Sequence, residues 1–338
     1  MRRIAVEEHF ATREQLDVLQ SLINKTFPKP EVIQQEKNIG VEAPFLVGAS
    51  HGSETVVKKL LDIGEGRIED MDEAGVDVQV LSPIIGAQVL DAAGGVALAR
   101  KVNDTAAKTL KRHPERFVGL ATLAPQNPAE AANELKRAVK DLGFRGAMVN
   151  SHTKGEYLDD QKYWPIFEMA ANLEVPLYIH PRVPPAEMLK YYLAYPGLAS
   201  AILGFSHEVS LHTLCMVFSG VFDRFSTLNI ILGHLGEALP YWLGRIDSHW
   251  LSRPASKHLK KKPSDYLKEN FFITSSGMFW EPPMMCACAA VGADRIMFAV
   301  DYPMESIKPA VAFLDSASMS HSDREKIYHQ NAEKLFKL

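Results

Sequence analysis

The chain has 338 residues, of which 46% are hydrophobic and 23% are charged, as is typical of a globular protein. This composition excludes collagen-like, coiled-coil and disordered classes. The formal net charge of -4 provides no basic face for phosphates, so we expect no binding to nucleic acid.

The cysteine count and the N-terminus indicate a reducing compartment. The sequence contains three unevenly spaced cysteines: Cys215, Cys286 and Cys288. They are too few for a disulfide framework. Glu7 and Glu8 interrupt the first apolar run before a signal-peptide core could form. The uncharged stretch 191–207 is interpreted as a buried loop that leads into a helix, not as a membrane span. We therefore expect a cytoplasmic protein with no membrane partner.

Short β-rich runs alternate regularly with helical patterns along the chain. Eight strands are predicted: 4–10, 76–82, 117–124, 146–150, 176–180, 229–233, 271–275 and 296–301. Most of them follow a helix that ends in a breaker and a polar turn. The pattern is that of repeated strand–helix units.

The helices are predicted from apolar residues at three- and four-residue spacing. In 128–142, Ala131, Leu135, Ala138 and Leu142 share one face. Similar patterns lie at 97–110, 163–173, 211–222 and 322–338. Eight apolar strands separated by helices predict an α/β fold, a parallel (β/α)8 TIM barrel. An open doubly wound sheet is the alternative, but no glycine-rich phosphate motif follows the first strand.

The connection between the first two strands, residues 11–75, is by far the longest. We predict a helix over 14–23, a stretch containing proline and glycine to residue 52, and a helix over 58–73. In a TIM barrel such a connection lies on the catalytic face, so we expect a lid or a subunit contact. Together with the C-terminal helix it accounts for the excess length, and we expect one domain over 1–338.

Metal-ligating residue types lie at the predicted carboxyl ends of four strands. Strand one ends with Glu7, Glu8 and His9, strand five with His180, strand six runs into His234, and strand eight ends with Asp301. Because residues two apart on a strand share a face, Glu7 and His9 are predicted to point together into the barrel. Ala5 is then expected behind them in the interior, and Glu8 on the opposite face.

Burying so many ionisable groups at one end of a barrel is costly unless a cation neutralises them. We predict one divalent metal ion, Mn²⁺ or Zn²⁺, held by four ligands: Glu7, His9, His180 and Asp301. A single histidine or aspartate at a strand end is more often a cap or a loop residue. The agreement of four strand ends is what favours a metal site.

These residues resemble the metal-dependent amidohydrolase superfamily, and within it the nonoxidative aromatic acid decarboxylases, which act on γ-resorcylate, 2,3-dihydroxybenzoate, salicylate and 5-carboxyvanillate. The resemblance rests on Glu7-x-His9, His180-Pro181, 233–237 (GHLGE), 301–303 (DYP) and 331–338 (NAEKLFKL). The runs 11–14, 150–153, 236–243 and 276–282 are most similar to the 5-carboxyvanillate enzymes. The resemblance spans essentially the whole chain and implies a homodimer or homotetramer that acts on a small aromatic acid.

Two features depart from the 5-carboxyvanillate enzymes. His9 stands where they carry alanine, so the metal-site pattern matches the γ-resorcylate type. The segment 51–53 (HGS) has no arginine where those enzymes place one for the extra substrate carboxylate. A substrate with a second carboxylate is therefore not expected.

A mechanism follows from the residue types. Direct decarboxylation of a benzoate would leave an aryl carbanion, so the ring carbon is better protonated first. We hypothesise that the metal chelates the carboxylate and the ortho hydroxyl, and that Asp301 is the catalytic proton donor. His234 and Glu237 would be catalytic as a proton relay to Asp301. The alternative for His234 is a histidine that merely closes a turn.

Three further residues are candidates for substrate binding. Arg245 resembles a family arginine that contacts substrate, although a surface ion pair is the alternative. His207, like His152, is placed near the catalytic face, where it could touch substrate hydroxyls. Trp280, with Phe10 and Phe279, could form an apolar wall for the ring, with core packing as the alternative.

Two other functions share the same ligands. A mononuclear metal-dependent hydrolase of a lactone or cyclic amide would use them to activate water. Strand four ends at Asn150 and offers no lysine to bridge two metals. A non-catalytic barrel that binds metal or an aromatic ligand would not need three proton-transfer groups. We therefore predict a carboxy-lyase that acts on a hydroxybenzoate-type acid.

Overall fold

Parallel strands alternate with helices from one end of the chain to the other. The computed structural model describes residues 1–26, 54–195 and 197–338. The strands of these residues are β1 (Ile4–Phe10), β2 (Val78–Pro83), β3 (Phe117–Gly119), β4 (Ala121–Thr122), β5 (Ala147–Asn150), β6 (Leu177–His180), β7 (Ile230–Leu232), β8 (Phe271–Thr274) and β9 (Ile296–Met297). Nearly all their residues are buried, as expected when helices cover one face and side chains fill the other.

Helices follow the strands and pack around them. They are α1 (Arg13–Thr26), α2 (Glu54–Leu61), α3 (Glu65–Ala74), α4 (Ala92–Arg112), α5 (Pro128–Asp141), α6 (Trp164–Leu173), α7 (Gly204–Phe218), α8 (Val221–Arg224), α9 (Leu239–Leu251), α10 (Pro263–Asn270), α11 (Glu281–Val291), α12 (Ile307–Ser316), α13 (His321–Glu325) and α14 (Asn331–Phe336). A π-helical turn, Lys326–Gln330, joins the last two. The helix predicted over 211–222 is interrupted before Val221, where Gly220 adopts a φ of 79°.

The strands pair in chain order, and every pairing is parallel. One sheet has the order β1-β2-β3 and the other runs from β4 to β9. At the gap between β3 and β4, Leu120 N donates to Leu81 O at 2.8 Å. Three backbone hydrogen bonds join β1 to the chain after β9: Val6 N to Phe298 O at 3.0 Å, Asp301 N to Glu7 O at 3.0 Å, and His9 N to Tyr302 O at 2.7 Å. The predicted (β/α)8 barrel is confirmed, with a ladder that is interrupted at two places.

The interruptions explain why two predicted strands are shorter than expected. The strand predicted over 117–124 is split at Leu120 into β3 and β4. The ladder of the strand predicted over 296–301 ends at Met297, because the next three backbone donors bond outside the ladder. Phe298 N donates to Ile327 O at 2.8 Å, and the next two donate to side chains. Ala299 N donates to Ser275 Oγ at 3.0 Å, and Val300 N donates to Glu8 Oε1 at 2.9 Å.

A layer of apolar side chains fills the barrel interior. It draws on β1, β2 and β5 to β9, on the residue between β3 and β4, and on the C-terminal helix. Its buried members are Ile4, Val6, Val78, Val80, Leu120, Met148, Tyr178, Ile231, Phe272, Met297, Ala299, Ala332, Leu335 and Phe336. A larger cluster packs between the strands and the surrounding helices. The interior is therefore a packed core, and the open end of the barrel is left for polar residues.

A β-bulge in β1 changes which residues face that interior. The register with β2 shifts by one residue between Ala5 and Glu8, because β1 carries an extra residue there. Val6 and Glu7 consequently both face inward, although they are adjacent, while Ala5 packs in the outer cluster. The prediction that Ala5 lies behind Glu7 in the interior is wrong for this reason.

The first connection is only partly described. The predicted helix over 14–23 forms as α1, and the single helix predicted over 58–73 is two helices, α2 and α3. They are separated where Gly64 N donates to the carboxylate of Asp62 at 2.9 Å, a local bond that ends the helix. Residues 27–53 lie outside the described residues, so the lid or subunit contact and the single domain stay predictions.

The stretch 191–207 was expected to be buried, and this expectation is wrong. The side chains of Tyr191, Tyr195 and Ile202 are 78%, 69% and 69% exposed. Absence of charge is a weak indicator of burial, since tyrosine hydroxyls remain solvated at a surface. Among the helices of the described residues, none has the length and apolar character needed to cross a membrane.

Candidate metal centre

Four ionisable side chains converge at the carboxyl end of the barrel. Glu7 and His9 lie on β1, His180 is the last residue of β6, and Asp301 follows β9. One ligand atom from each lies within 4.8 Å of the others. The first three are buried, and the Asp301 side chain is 17% exposed. The predicted ligand set is thus brought together.

Glu7 is held by one oxygen and leaves the other free. Its Oε2 accepts hydrogen bonds from the hydroxyls of Tyr178, Thr274 and Ser276. Its Oε1 is buried and has no hydrogen-bond partner, and it lies 3.9 Å from His180 Nε2. Three donors on one oxygen fix the orientation of the carboxylate.

The two histidines are fixed through their Nδ1 atoms. His9 Nδ1 lies 3.1 Å from Ser82 Oγ, and His180 Nδ1 lies 3.2 Å from the side-chain amide of Asn150. Their rings meet edge to face at 4.6 Å. Burial and the neighbouring His9 lower the pKa of His180 well below its ordinary value. A neutral imidazole with a free lone pair is the form that binds metal.

The residues fit a divalent cation. Glu7 Oε1 and His9 Nε2 are both buried without a hydrogen-bond partner, which is costly unless a ligand satisfies them. His9 Nε2 also lies 3.0 Å from Asp301 Oδ1. Two imidazole nitrogens and two carboxylate groups form a mixed donor set that suits zinc or manganese.

Asp301 also belongs to a second group, with His234 and Glu237. His234 Nε2 lies 3.7 Å from Asp301 Oδ2, and His234 Nδ1 lies 2.7 Å from Glu237 Oε1. Burial raises the pKa of Asp301, but the imidazoles of His234 and His9 outweigh burial and lower it below its ordinary value. Burial lowers the pKa of His234, but the carboxylates of Glu237 and Glu7 outweigh burial and raise it well above its ordinary value. The two shifts have opposite directions, and both favour a proton on His234 over one on Asp301.

A left-handed turn brings His234 and Glu237 together. The φ angles of residues 234–238 are 50°, 53°, 75°, 54° and 65°. L-residues avoid this region at a cost of about 1–2 kcal/mol each, so the surroundings must hold the turn. His234 N donates to Ser276 Oγ at 3.1 Å, and Ser210 Oγ donates to Glu237 O at 2.5 Å. The turn then leads directly into α9.

A largely apolar cavity opens over the polar cluster. His180, His234 and Asp301 lie on its wall, and its apolar lining comes from Ile84, Ile85, Val89, Val183, Phe205 and Met304. Its other polar lining residues are Gln88, Asn150, Arg182 and Glu305. An aromatic ring would find both apolar contact and orienting polar groups here.

The predicted substrate residues do not line this cavity. Arg245 is exposed on α9, and the side chain of Trp280 is 67% exposed just before α11. His207 is exposed on α7, two residues after the lining residue Phe205, and its Nδ1 lies 3.1 Å from Tyr192 Oη. Their roles in substrate binding remain predictions.

The other aromatic and histidine candidates contact the protein's own side chains and backbone and do not line the cavity. Phe10 is fully buried in the cluster outside the barrel, and Phe279 faces Phe313 with ring centres 6.4 Å apart. His152 engages backbone groups with both nitrogens: Nε2 lies 3.0 Å from Val183 O, and Nδ1 accepts from Gly155 N at 3.1 Å.

The lining residues of the β2–α4 loop are not predicted from residue type, because none of them is ionisable. Ile84 and Gly86 are apolar, and Gln88 is a neutral amide. The available signal was their position: they follow a strand, on the side of the barrel where the chemistry lies.

Comparison with known proteins identifies relatives over the whole chain. A family model described as Amidohydrolase matches residues 55–338. A γ-resorcylate decarboxylase from Polaromonas sp. is 37% identical over 99% of this chain and 98% of its own length. A γ-resorcylate decarboxylase from Rhizobium sp. is 36% identical with the same coverage.

A solved structure has the same fold. The 5-carboxyvanillate decarboxylase of Novosphingobium aromaticivorans, with bound manganese and 3-methoxy-4-hydroxy-5-nitrobenzoic acid, is 39% identical with a TM-score of 0.91, covering 100% of this chain and 97% of that one.

Proposed function

Because the chain belongs to the amidohydrolase family, we propose that it is a metal-dependent carboxy-lyase that decarboxylates a hydroxybenzoate-type acid without an oxidant. One observation carries the proposal: a proton-transfer group, Asp301 with His234 and Glu237, shares the aspartate of a four-ligand metal group beneath an apolar cavity. The same proposal includes a homodimer or homotetramer, a cytoplasmic location, and the substrate roles of Arg245, His207 and Trp280.

The proposed metal ligands are Glu7, His9, His180 and Asp301. A divalent cation held there would supply Lewis acidity to the carboxylate and ortho-hydroxyl oxygens of an aromatic acid. Manganese is the ion bound in the 5-carboxyvanillate decarboxylase structure. The apolar lining would hold the ring and exclude water from the reacting carbon.

The proton path runs through two side chains. His234, whose proton is stabilised by Glu237, would pass it to Asp301 across the 3.7 Å between them. Asp301 would deliver the proton to the ring carbon that bears the carboxylate. The bond to the carboxylate then breaks, its electrons return to the ring, and carbon dioxide leaves. Aromaticity is restored with no change of oxidation state on the protein.

The test is a substrate screen of the metal-loaded protein. Salicylate, the dihydroxybenzoates and 5-carboxyvanillate are incubated with Mn²⁺- or Zn²⁺-loaded protein, and carbon dioxide release is measured. Lactones and cyclic amides are assayed in parallel. We expect carbon dioxide from at least one hydroxybenzoate. Turnover of lactones with no release from any acid would establish the hydrolase instead.

A matched pair of variants tests the proton donor. Asp301→Asn should abolish carbon dioxide release while the circular dichroism spectrum stays unchanged. The control is Asp104→Asn. Asp104 lies on α4, far along the sequence from the cluster, and its side chain is 53% exposed and pairs with Arg137. Full activity in the Asp301→Asn variant would refute the donor role.

A further inference from the structure

Ser276 lies where the proposed metal ligands and the proton relay meet. It follows β8 by two residues and is fully buried. Thr274 ends β8, and because residues two apart on an extended chain share a face, its hydroxyl and that of Ser276 both point into the barrel. Ser275 points the other way and bonds to the backbone of Ala299. The proposed proton path uses none of these hydroxyls.

The hydroxyl of Ser276 contacts both groups at once. It donates to Glu7 Oε2, and it accepts from the backbone nitrogen of His234 at 3.1 Å. A backbone N–H can only donate, so Ser276 Oγ must accept from His234 and has its single proton left for the carboxylate. The chain of hydrogen bonds therefore runs in one direction, from His234 N through Ser276 Oγ to Glu7 Oε2.

The other two hydroxyls on Glu7 serve the carboxylate and not the turn. Thr274 Oγ1 donates to Glu7 Oε2 at 3.0 Å and lies 2.9 Å from Ser276 Oγ. Tyr178 Oη donates to the same carboxylate oxygen. Within the parts of the chain that the structure describes, neither of these two hydroxyls bonds to the turn at 234–238. Ser276 is therefore the hydroxyl through which Glu7 and the turn can act on each other.

Two glycines bring the carboxylate and the turn close enough for this contact. Gly233 directly precedes His234, and a Cβ atom added to it would lie 3.0 Å and 3.1 Å from the two oxygens of Glu7. Gly277 directly follows Ser276, and a Cβ atom added there would lie 3.5 Å from His234 Cδ2. The backbone before His234 thus packs against Glu7, and the backbone after Ser276 lies beside the imidazole ring.

The turn needs such an anchor because its backbone is strained. His234 has a φ of 50°, a conformation that L-residues keep only where the surroundings impose it. The 3.7 Å between His234 Nε2 and Asp301 Oδ2 depends on where this backbone lies. Because a misplacement of about 1 Å can slow a reaction by about 100-fold, a relaxed turn would slow the proton relay.

We propose that Ser276 is a positioning residue, which ties the backbone of His234 to the carboxylate of Glu7 and so holds the proton relay in place relative to the metal ligands. The inference rests on the proposed function and adds to it a residue that acts through two others. Removal of the hydroxyl should loosen the turn in the metal-free protein. In the metal-loaded protein it should slow decarboxylation without a matching change in substrate binding.

Hydrogen exchange of the metal-free protein tests this tie without turnover. The sequence has 12 histidines, so ¹⁵N-histidine labelling gives one backbone amide signal for each, and His234→Gln identifies the signal of interest. In Ser276→Ala the amide of His234 should exchange about 10-fold faster than in the wild type, because its acceptor is lost. Thr274→Val removes a hydroxyl from the same carboxylate oxygen and should change that exchange rate by less than about 3-fold.

Steady-state kinetics at saturating Mn²⁺ test the effect on the reaction, and competition with a chelator establishes that each variant is saturated. Ser276→Ala should lower kcat by about 10-fold or more and change KM by less than about 3-fold. The matched control is Ser275→Ala, which removes the neighbouring buried serine, whose hydroxyl bonds to backbone atoms of Ala299. It should keep kcat within about 3-fold of the wild type, since its bonds lie on the opposite face of the chain.

The outcomes separate this inference from the proposed function. An unchanged exchange rate of the His234 amide or an unchanged kcat in Ser276→Ala overturns the positioning role, and so does an equal loss of kcat in Ser275→Ala. Faster exchange in Ser276→Ala, without carbon dioxide release from any acid by the wild type, supports the tie and defeats the decarboxylase. If Ser276→Ala does not fold, Ser276→Cys replaces it in both measurements, because a thiol is similar in size and a weak donor and acceptor.

Discussion

Glu7 and Glu8 are neighbours in the sequence, both are fully buried, and their surroundings differ completely. On the inner face of β1, one oxygen of Glu7 accepts three hydroxyl groups and the other has no hydrogen-bond partner. On the outer face, both oxygens of Glu8 accept: from Val300 N at 2.9 Å and from Gln79 Nε2 at 3.3 Å. A buried carboxylate oxygen without a hydrogen-bond partner indicates a ligand site, whereas a carboxylate with both oxygens hydrogen-bonded indicates a structural role.

The outer face is completed by a buried cation. Arg67 is fully buried and donates to Gln79 Oε1 at 3.3 Å, to His9 O at 2.6 Å and to Asp62 O at 2.8 Å. Burial raises the pKa of Glu8, whereas Val300 N and the charge of Arg67 act to lower it. The guanidinium therefore ties the first connection to the end of β1, directly behind the metal ligands.

Glu7→Gln gives the sharpest contrast between the two faces. We expect metal affinity to fall by about 1000-fold or more, because a charged ligand is lost, and activity to fall with it. When both variants are loaded with metal and dialysed, Glu8→Gln should retain its metal. Metal content by mass spectrometry and carbon dioxide release measure the difference. Equal loss of metal in both variants would contradict the assignment of the inner face.

Arg67→Met should break the outer face. We expect the free energy of unfolding to fall by about 3–5 kcal/mol, since four buried acceptors lose their donor and Glu8 loses a nearby positive charge. Urea unfolding measures this loss. The double variant with Glu8→Gln should cost less than the sum of the two single changes, by more than about 1 kcal/mol. Simple additivity would show that Arg67 does not act on Glu8.

Tyr178→Phe tests the support of Glu7. It removes one of the three hydroxyls on Oε2, so metal affinity should fall by about 10- to 100-fold while the ligand remains. Competition with a chelator measures the affinity. Tyr163→Phe is the matched control, because that hydroxyl donates to Glu156 at 2.9 Å, away from the cluster. Comparable losses in both would mean that the hydroxyl has no specific role.

His212 extends the comparison to a buried histidine. Both of its ring nitrogens are hydrogen-bonded only when the imidazole is neutral. Its Nδ1 lies 2.9 Å from Ser151 Oγ, and its Nε2 accepts from Leu158 N at 2.9 Å. Burial lowers its pKa from 6.5 to about 3. Between these values the unfolded chain binds a proton that the folded chain does not, so stability falls as pH decreases, by about 1.4 kcal/mol per pH unit.

The variant His212→Gln keeps an acceptor for Leu158 N and does not titrate. It should flatten the decline in unfolding free energy across this pH range by that slope. Urea unfolding at successive pH values measures it. An unchanged slope would show that another group causes the acid sensitivity.

The ligand set could be predicted from the sequence because it depends on residue type and on strand ends. Each of the four lies at or near the carboxyl end of a strand that local propensity predicts: Glu7, His9, His180 and Asp301. The bulge could not be predicted, since no glycine or proline marks it and the run IAVEEHF reads as a regular strand. It reversed the expected position of Ala5 while leaving Glu7 and His9 on one face.

Placement relative to the cavity was harder to predict. Trp280 was selected as an apolar wall by side-chain type, and Arg245 by its spacing from His234, but neither criterion fixes where a helix turns its exposed face. The sequence does not predict that the side-chain amides of Gln88 and Asn150 meet beside Gly86. Such a meeting depends on contacts between distant segments, which periodicity does not report.

The left-handed turn at 234–238 also limits which substitutions the chain can accept. Ala238 is exposed, and by burial alone it would tolerate almost any residue. Its φ of 65° nevertheless excludes proline and disfavours valine, isoleucine and threonine, whereas glycine and asparagine adopt that angle readily. The residues that this surface position can accept are therefore limited by backbone chirality and not by contact with solvent or substrate.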